Sequence, residues 1–227
     1  MALILSIETS TKVCSVAIHN DGIQLGLTEF YIDKSHSSVL LAQIHHLVNC
    51  LDIKLKSLKA IALSDGPGSY TGLRIGTATA KGLCFALDIP LIAVDTLYAM
   101  CIGIRNFNTE HYYMCPMLDA RRMEVYAAIY DYDLNKLLDT KPLILDSQIF
   151  EQYLINHKII FFGDGSPKFK KLAEGNQNFL FIKNIFPSAT YIGEVAINNF
   201  NNNLFEDIAY YEPNYLKEFL ITTKLNG

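Results

Sequence analysis

Leu3-Ile4-Leu5-Ser6-Ile7-Glu8 opens the chain, Val13-Cys14-Ser15-Val16-Ala17-Ile18-His19 follows, and Asn20-Asp21-Gly22 separates that run from a third at 23–30. The second and third runs alternate with a period of two, as half-buried strands do. Asp-Gly between alternating runs is a strong hairpin signal, because both residues tolerate positive φ. These thirty residues therefore read as three consecutive antiparallel strands. A helix over 35–51, a strand over 59–64, a glycine-rich turn at 65–70 and a helix over 71–87 come next. Asp88-Ile89-Pro90 stops that helix, since proline disfavours a helical residue before it. A strand at 91–94 and a short helix over 96–103 complete the order βββαβαβα.

From residue 111 the pattern restarts. Tyr113 to Leu118 is a strand ending in Asp119, and Met123 to Tyr130 is a second. Laid without gaps on the N-terminus, Leu118-Asp119 falls on Ile7-Glu8, and Ala127-Ala128-Ile129 falls on Val16-Ala17-Ile18. An acid at the end of a first strand, a turn and an apolar second strand thus occur twice. Two related domains, 1–103 and 104–204, explain the recurrence; one divergent domain with an insertion is the alternative. A helix near 147–155, a strand at 158–162, a turn at 163–167 and a helix over 187–201 fill out the second half. The tail, 205–227, is too apolar to float free and is expected to return to the first domain.

Composition narrows the function classes. Of 227 residues half are hydrophobic, only 19% are charged, and the formal net charge is -4. Mean hydropathy is +0.18 and the pI near 5.8. Such a chain buries enough apolar surface to offset its conformational entropy, which excludes intrinsic disorder. The acidic balance argues against a free-standing nucleic-acid binder. No apolar run approaches the ~18 residues of a membrane span, and the N-terminus lacks the basic region of a signal peptide. The five cysteines contain no C-x-x-C and read as reduced core thiols of a cytoplasmic protein.

The two long helices of the first half carry the most information. Residues 35–51 contain no Lys, Arg, Asp or Glu. Leu40, Ile44, Leu47, Val48 and Leu51 make one apolar face; Ser38, Ala42, His45, His46 and Asn49 lie opposite. In 71–87 only Arg74, Lys81 and Thr77 form a narrow polar stripe. Gly72, Gly76 and Gly82 each cost that helix roughly 1 kcal/mol relative to alanine, so something is expected to approach its backbone closely. The two helices packing on each other explains part of the pattern. An interface with another chain explains why both lack charge, within a first hundred residues that carry seven basic and eight acidic side chains.

Several candidate sites compete. Asp65-Gly66-Pro67-Gly68-Ser69-Tyr70-Thr71-Gly72 joins a strand to a helix and can present N–H groups to an anion, with Gly66, Gly68, Ser69 and Thr71 as the contacts. It is neither a Walker A loop nor G-x-G-x-x-G, and a tight turn with a Ser69 or Thr71 cap accounts for it equally well. Glu8 and Asp65 sit at strand ends, as in two-metal nucleases, but the helix at 35–51 adds no third acid. His36, His45 and His46 do not fit a helical i, i+4 ligand pair. Arg121-Arg122 and Lys168, Lys170 and Lys171 suit either phosphate or solvent.

Ile4-Leu5-Ser6-Ile7-Glu8-Thr9-Ser10-Thr11, Gly66-Pro67-Gly68-Ser69-Tyr70-Thr71-Gly72-Leu73-Arg74-Ile75-Gly76 and Leu118-Asp119-Ala120-Arg121-Arg122-Met123-Glu124-Val125-Tyr126 together resemble the TsaB family. That family supplies the accessory subunit for N6-threonylcarbamoyladenosine synthesis in tRNA. The resemblance runs over nearly the whole chain. It implies an α/β fold of two actin-like domains, of the ribonuclease-H-like, sugar-kinase and Hsp70 type, in a cytoplasmic protein. It implies no catalytic residue, metal or cofactor in this chain; ATP and a metal ion are expected on partners, a catalytic TsaD-like subunit and a TsaE-like ATPase. A homodimer is expected in isolation, and contact with tRNA only through the partners. The implied interface comprises His36, Ser37, Leu40, Leu41, Ile44 and Leu47 on the first helix, with Gly72, Leu73, Arg74, Gly76, Thr77 and Ala80 on the second. Glu8, Tyr70 and Lys217 depart from the family's usual aspartate, phenylalanine and arginine. The rival readings are an autonomous ATP-using phosphotransferase or ATPase built on Glu8 and the 66–72 turn, and a metal-dependent nuclease.

Overall fold

The Asp21-Gly22 turn uses the backbone freedom of its residues: both adopt left-handed φ, 48° and 84°, and Asn20 pairs with Ile23 across it. The computed structural model describes residues 2–31, 36–154 and 157–217. Strands β1 (Leu3–Glu8), β2 (Val13–Asn20) and β3 (Ile23–Tyr31) form the antiparallel half of a five-stranded sheet. Strands β4 (Ala60–Gly66) and β5 (Leu91–Asp95) extend it in parallel on the far side of β1, in the order β3-β2-β1-β4-β5. Helix α1 (His36–Cys50) makes the crossover to β4, and α2 (Tyr70–Leu87) the crossover to β5. Asp88 closes α2 in the left-handed conformation, φ 54°, ahead of Pro90. Ser35 of the expected helix lies outside the described residues.

The second sheet repeats the first. Strands β6 (Tyr113–Asp119), β7 (Glu124–Tyr130), β8 (Lys136–Ile144), β9 (Ile159–Phe162) and β10 (Phe179–Phe181) have the order β10-β9-β6-β7-β8, the same arrangement element for element. The fold is α/β, with two actin-like sheets. Pairing in the second hairpin shifts by one residue from the gapless overlay: Asp119 faces Val125, whereas Glu8 faces Ser15. Arg121 and Arg122 both take left-handed φ, 69° and 47°, which tightens that turn. The helix expected near 147–155 is a single 3-10 turn, Glu151–Tyr153, with its last expected residue outside the described ones. Strands β8 and β10 and the short helix α4 (Ser166–Lys170) have no counterpart in the sequence reading.

Helices α1 and α2 cover one face of the first sheet, where Leu40, Ile44, Leu47, Ala80 and Cys84 meet Leu5, Ile7, Val16 and Leu63. The helices α3 (Thr96–Arg105) and α5 (Ala189–Asn201) lie on the other face, with Ala99, Ile192 and Ala196 against Ile4, Ala62 and Val94. Packing does not follow the division at residue 103. Leu97, Met100 and Ile104 of α3 pack under the second sheet, against Met114, Leu118 and Phe162. Conversely, α5, from the second half of the chain, caps the first sheet: Ala189 N–H donates to Ser15 Oγ at 3.0 Å, and the Ser188 hydroxyl donates to Glu29. The opposite face of the second sheet is filled by Phe150, Phe161, Phe169 and Phe179.

The tail returns to the first sheet. Glu206 bridges Leu91, and Tyr211 is buried with its hydroxyl donating to Asp65 Oδ1 at 2.9 Å. Lys217 then reaches the second sheet, donating to the Ala120 carbonyl at 3.2 Å and pairing with Glu124. Residues 218–227 of the expected tail lie outside the described residues.

Candidate functional site

Most of the residues expected at an interface are the chain's own core. Leu40, Ile44, Leu47, Leu73 and Ala80 are 0–5% exposed. His36 is buried, its Nε2 3.2 Å from the Val13 carbonyl, and Thr77 is buried as well. In that position these side chains spend nearly all of their surface on their own chain. The glycine stripe has the same origin. A Cβ on Gly72 would overlap the Thr9 carbonyl oxygen, and one on Gly76 the Thr9 hydroxyl. The close neighbour inferred from these glycines is therefore the β1–β2 turn of the same chain. Of the twelve expected interface residues, Ser37, Leu41 and Arg74 are exposed.

What α1 and α2 leave outside is nonetheless unusual. The exposed positions of α1 are Ser37, Ser38, Leu41, Ala42, His45, His46, Asn49 and Cys50; those of α2 are Thr71, Arg74, Ala78, Gly82, Phe85 and Ala86. Arg74 alone of these carries a permanent charge. Leu41 is 60% and Phe85 85% exposed, with Ala42, Ala78, Gly82 and Ala86 providing low relief. Gly82 has open space where a Cβ would stand, with nothing within 4 Å. A solvated helix face ordinarily carries charged side chains. Depletion of charge with an exposed aromatic is the signature of an interface core.

The glycine-rich turn is occupied by its own chain. Ser69 N–H donates to the Ser10 carbonyl at 2.6 Å, Gly72 N–H to Ser69 Oγ at 3.3 Å, and Leu73 N–H to the Ser69 carbonyl at 2.8 Å. A Cβ on Gly68 would strike Ser10, and one on Gly66 would lie 3.0 Å from the Asn214 carbonyl oxygen. Carbonyl oxygens of Thr9, Ser10 and Asn214 thus crowd the place where an anion would meet N–H donors. Thr71 is exposed and does not form the cap, which belongs to Ser69. Gly66, Gly68, Ser69 and Thr71 accordingly form a capped turn here rather than an open anion cradle.

The acids are equally committed. Glu8 is fully buried, and that desolvation raises its pKa to about 7 against the hydrogen bond it accepts from Ser10 N–H, which lowers it. Asp65 is raised by burial too; it accepts from Tyr211, and its carbonyl accepts from Asn214 N–H at 2.8 Å. Among the described residues no three His, Cys, Asp or Glu side chains converge as metal ligands. Asp119 accepts from Arg121 N–H at 2.6 Å and pairs with Lys168 at 2.8 Å, so this lysine is neutralised within the chain. No described helix is long and apolar enough to cross a membrane.

Comparison with known proteins adds a lineage. Residues 30–223 match the family model described as TsaD: tRNA N6-adenosine threonylcarbamoyltransferase. The chain is 30% identical over 183 residues to the tRNA threonylcarbamoyladenosine biosynthesis protein TsaB of Bacillus subtilis strain 168, covering 78% of this chain and 79% of that one. It is 29% identical over 231 residues to the TsaB of Escherichia coli K12, covering 99% and 98%. A crystal structure from Pseudomonas aeruginosa, described as similar to the peptidase YEAZ, superposes with a TM-score of 0.84. It has 24% identity and covers 96% of this chain and all of the other.

Proposed function

Since the chain belongs to the TsaB family of tRNA threonylcarbamoyladenosine biosynthesis proteins, we propose that it acts there as an accessory subunit without chemistry of its own. The outer face of α1 and α2 would hold a catalytic partner of the TsaD type. The observation that carries this reading is the face bearing Leu41, Ala42, His45, Ala78, Gly82 and Phe85: apolar, of low relief, and charged only at Arg74. Small residues let a partner helix approach closely, and Phe85 supplies the large aromatic anchor. Its role in the assembly is to fix the partner's conformation; ATP and any metal ion belong to the partner, a TsaE-like ATPase joins the larger complex, and tRNA is reached through it. In the partner's absence a second copy covers the same face, in a cytoplasmic protein.

Two observations favour this over an autonomous phosphotransferase. The Ser69 and Gly72 N–H groups at the start of α2 are spent on the Ser10 carbonyl and Ser69 Oγ, and Glu8 is a fully buried carboxyl rather than an accessible carboxylate. The reading is tested by reconstitution: tRNA, ATP, the threonylcarbamoyl precursors and a TsaD-like subunit, with and without this chain. Threonylcarbamoyladenosine is expected only when both proteins are present. Equal product without this chain, or ATP turnover by this chain alone that is lost in Glu8→Ala, would overturn it.

A further inference from the structure

The turn joining β6 to β7 is held in an uncommon backbone. Arg121 and Arg122 are consecutive, exposed and both left-handed, φ 69° and 47°. Few non-glycine residues adopt that region, and holding them there costs free energy. Ala120 N–H donates to the Glu124 carbonyl at 3.1 Å and Glu124 N–H to the Arg121 carbonyl at 3.2 Å, which closes the turn beneath the two side chains. Neither guanidinium joins an ion pair among the described residues. The neighbouring acids are already engaged: Asp119 pairs with Lys168, Glu124 pairs with Lys217, and Asp146 accepts from Gln148 N–H at 2.8 Å. The tip thus presents two unpaired positive charges on a chain whose formal net charge is -4.

An apolar pair flanks these charges. Met123 is 46% and Ile144 75% exposed. Ile144 lies opposite Glu124 in the β7–β8 register, and Leu145 N–H donates to the Met123 carbonyl at 2.9 Å, so the end of β8 runs alongside the turn. We propose that this tip docks an acidic segment of another protein. Two carboxylates of that segment take Arg121 and Arg122, and an apolar side chain beside them seats on Met123 and Ile144. Arginine matches a carboxylate through paired N–H donors, and arginine and methionine are both enriched where proteins meet. A phosphate would use the arginines and leave both apolar side chains in water, and the chain's negative balance opposes a polyanion such as RNA. The tip belongs to the second sheet, whereas α1 and α2 cover the first, so the contact does not rest on the α1–α2 reading.

The full chain tests this by fluorescence anisotropy at near-physiological salt, with a labelled peptide of glutamate pairs alternating with leucine as the probe. The same peptide with lysine for glutamate, and an RNA oligonucleotide of equal length, are the alternatives. The acidic peptide alone should bind, and more weakly as salt rises. Arg121→Gln combined with Arg122→Gln should lower its affinity at least about tenfold. Met123→Ser combined with Ile144→Ser should lower it about threefold or more and leave the salt dependence unchanged. All four positions are exposed, and circular dichroism verifies that each variant keeps its fold. No binding of the acidic peptide, tighter binding of the RNA or of the lysine peptide, or unchanged affinity in either double variant would overturn the assignment.

Discussion

Replacing Glu8 by glutamine should stabilise the protein at alkaline pH and much less so at acid pH. Glu8 is fully buried at the end of β1, and burial lifts its pKa from 4.5 to about 7. Below pH 4.5 the carboxyl is protonated in folded and unfolded chains alike and contributes no difference. Between 4.5 and about 7 only the unfolded chain ionises, so the folded state loses about 1.4 kcal/mol per pH unit. Above pH 7 both are ionised and the accumulated cost is constant, roughly 3 kcal/mol. Glutamine keeps the acceptor for Ser10 N–H and removes the titration. Urea unfolding of both proteins at pH 5 and pH 8 measures the effect. The advantage of the variant should grow by roughly 2–3 kcal/mol between the two. An advantage independent of pH would refute the assignment of Glu8 as a carboxyl whose ionisation desolvation disfavours.

Two glycines of α2 should separate cleanly. Gly76→Ala forces a Cβ onto Thr9 and should cost about 1–3 kcal/mol, whereas Gly82→Ala meets open space and should gain up to about 1 kcal/mol; thermal melts of the two variants give the comparison. His19 is buried against Gly193 of α5 with neither ring nitrogen hydrogen-bonded, and desolvation lowers its pKa below 6.5. Its unfolded form therefore takes up a proton first, so stability falls as pH drops below 6.5, and His19→Leu should flatten that slope in unfolding curves between pH 7 and 5. Tyr211→Phe leaves the half-buried Asp65 short of a donor and should cost about 1–3 kcal/mol, read by denaturant midpoint.

Much of the architecture was legible because its signals are local. The Asp21-Gly22 turn, the period-two strands and the stop at Asp88-Pro90 act within a few residues, and α2 begins within one residue of its expected start. The duplication was visible for the same reason, since acid, turn and apolar strand recur at a fixed offset. Strand β8 escaped because, as an edge strand, it alternates weakly and includes Pro142; β10 has only three residues. The expected interface residues divide for a different reason. A charge-free helix announces that either face can be covered but not which one meets its own sheet, so in the sequence Leu40 and Ile44, which are buried, read like Leu41, which is exposed. Glycine likewise announces a close neighbour without identifying it, and here the neighbour is Thr9, some sixty residues away in sequence.

The account stands or falls on whether the outer face of α1 and α2 receives a catalytic partner. Leu41→Glu combined with Phe85→Glu changes two exposed side chains and leaves the core beneath them intact. Calorimetric titration of this variant and of the unaltered chain with a TsaD-like subunit is the direct measurement, with circular dichroism confirming that both are folded. Desolvating two carboxylates in an interface core costs several kcal/mol, so binding should weaken by at least about a hundredfold. A folded variant that binds the partner as tightly as the unaltered chain would contradict the placement of the interface.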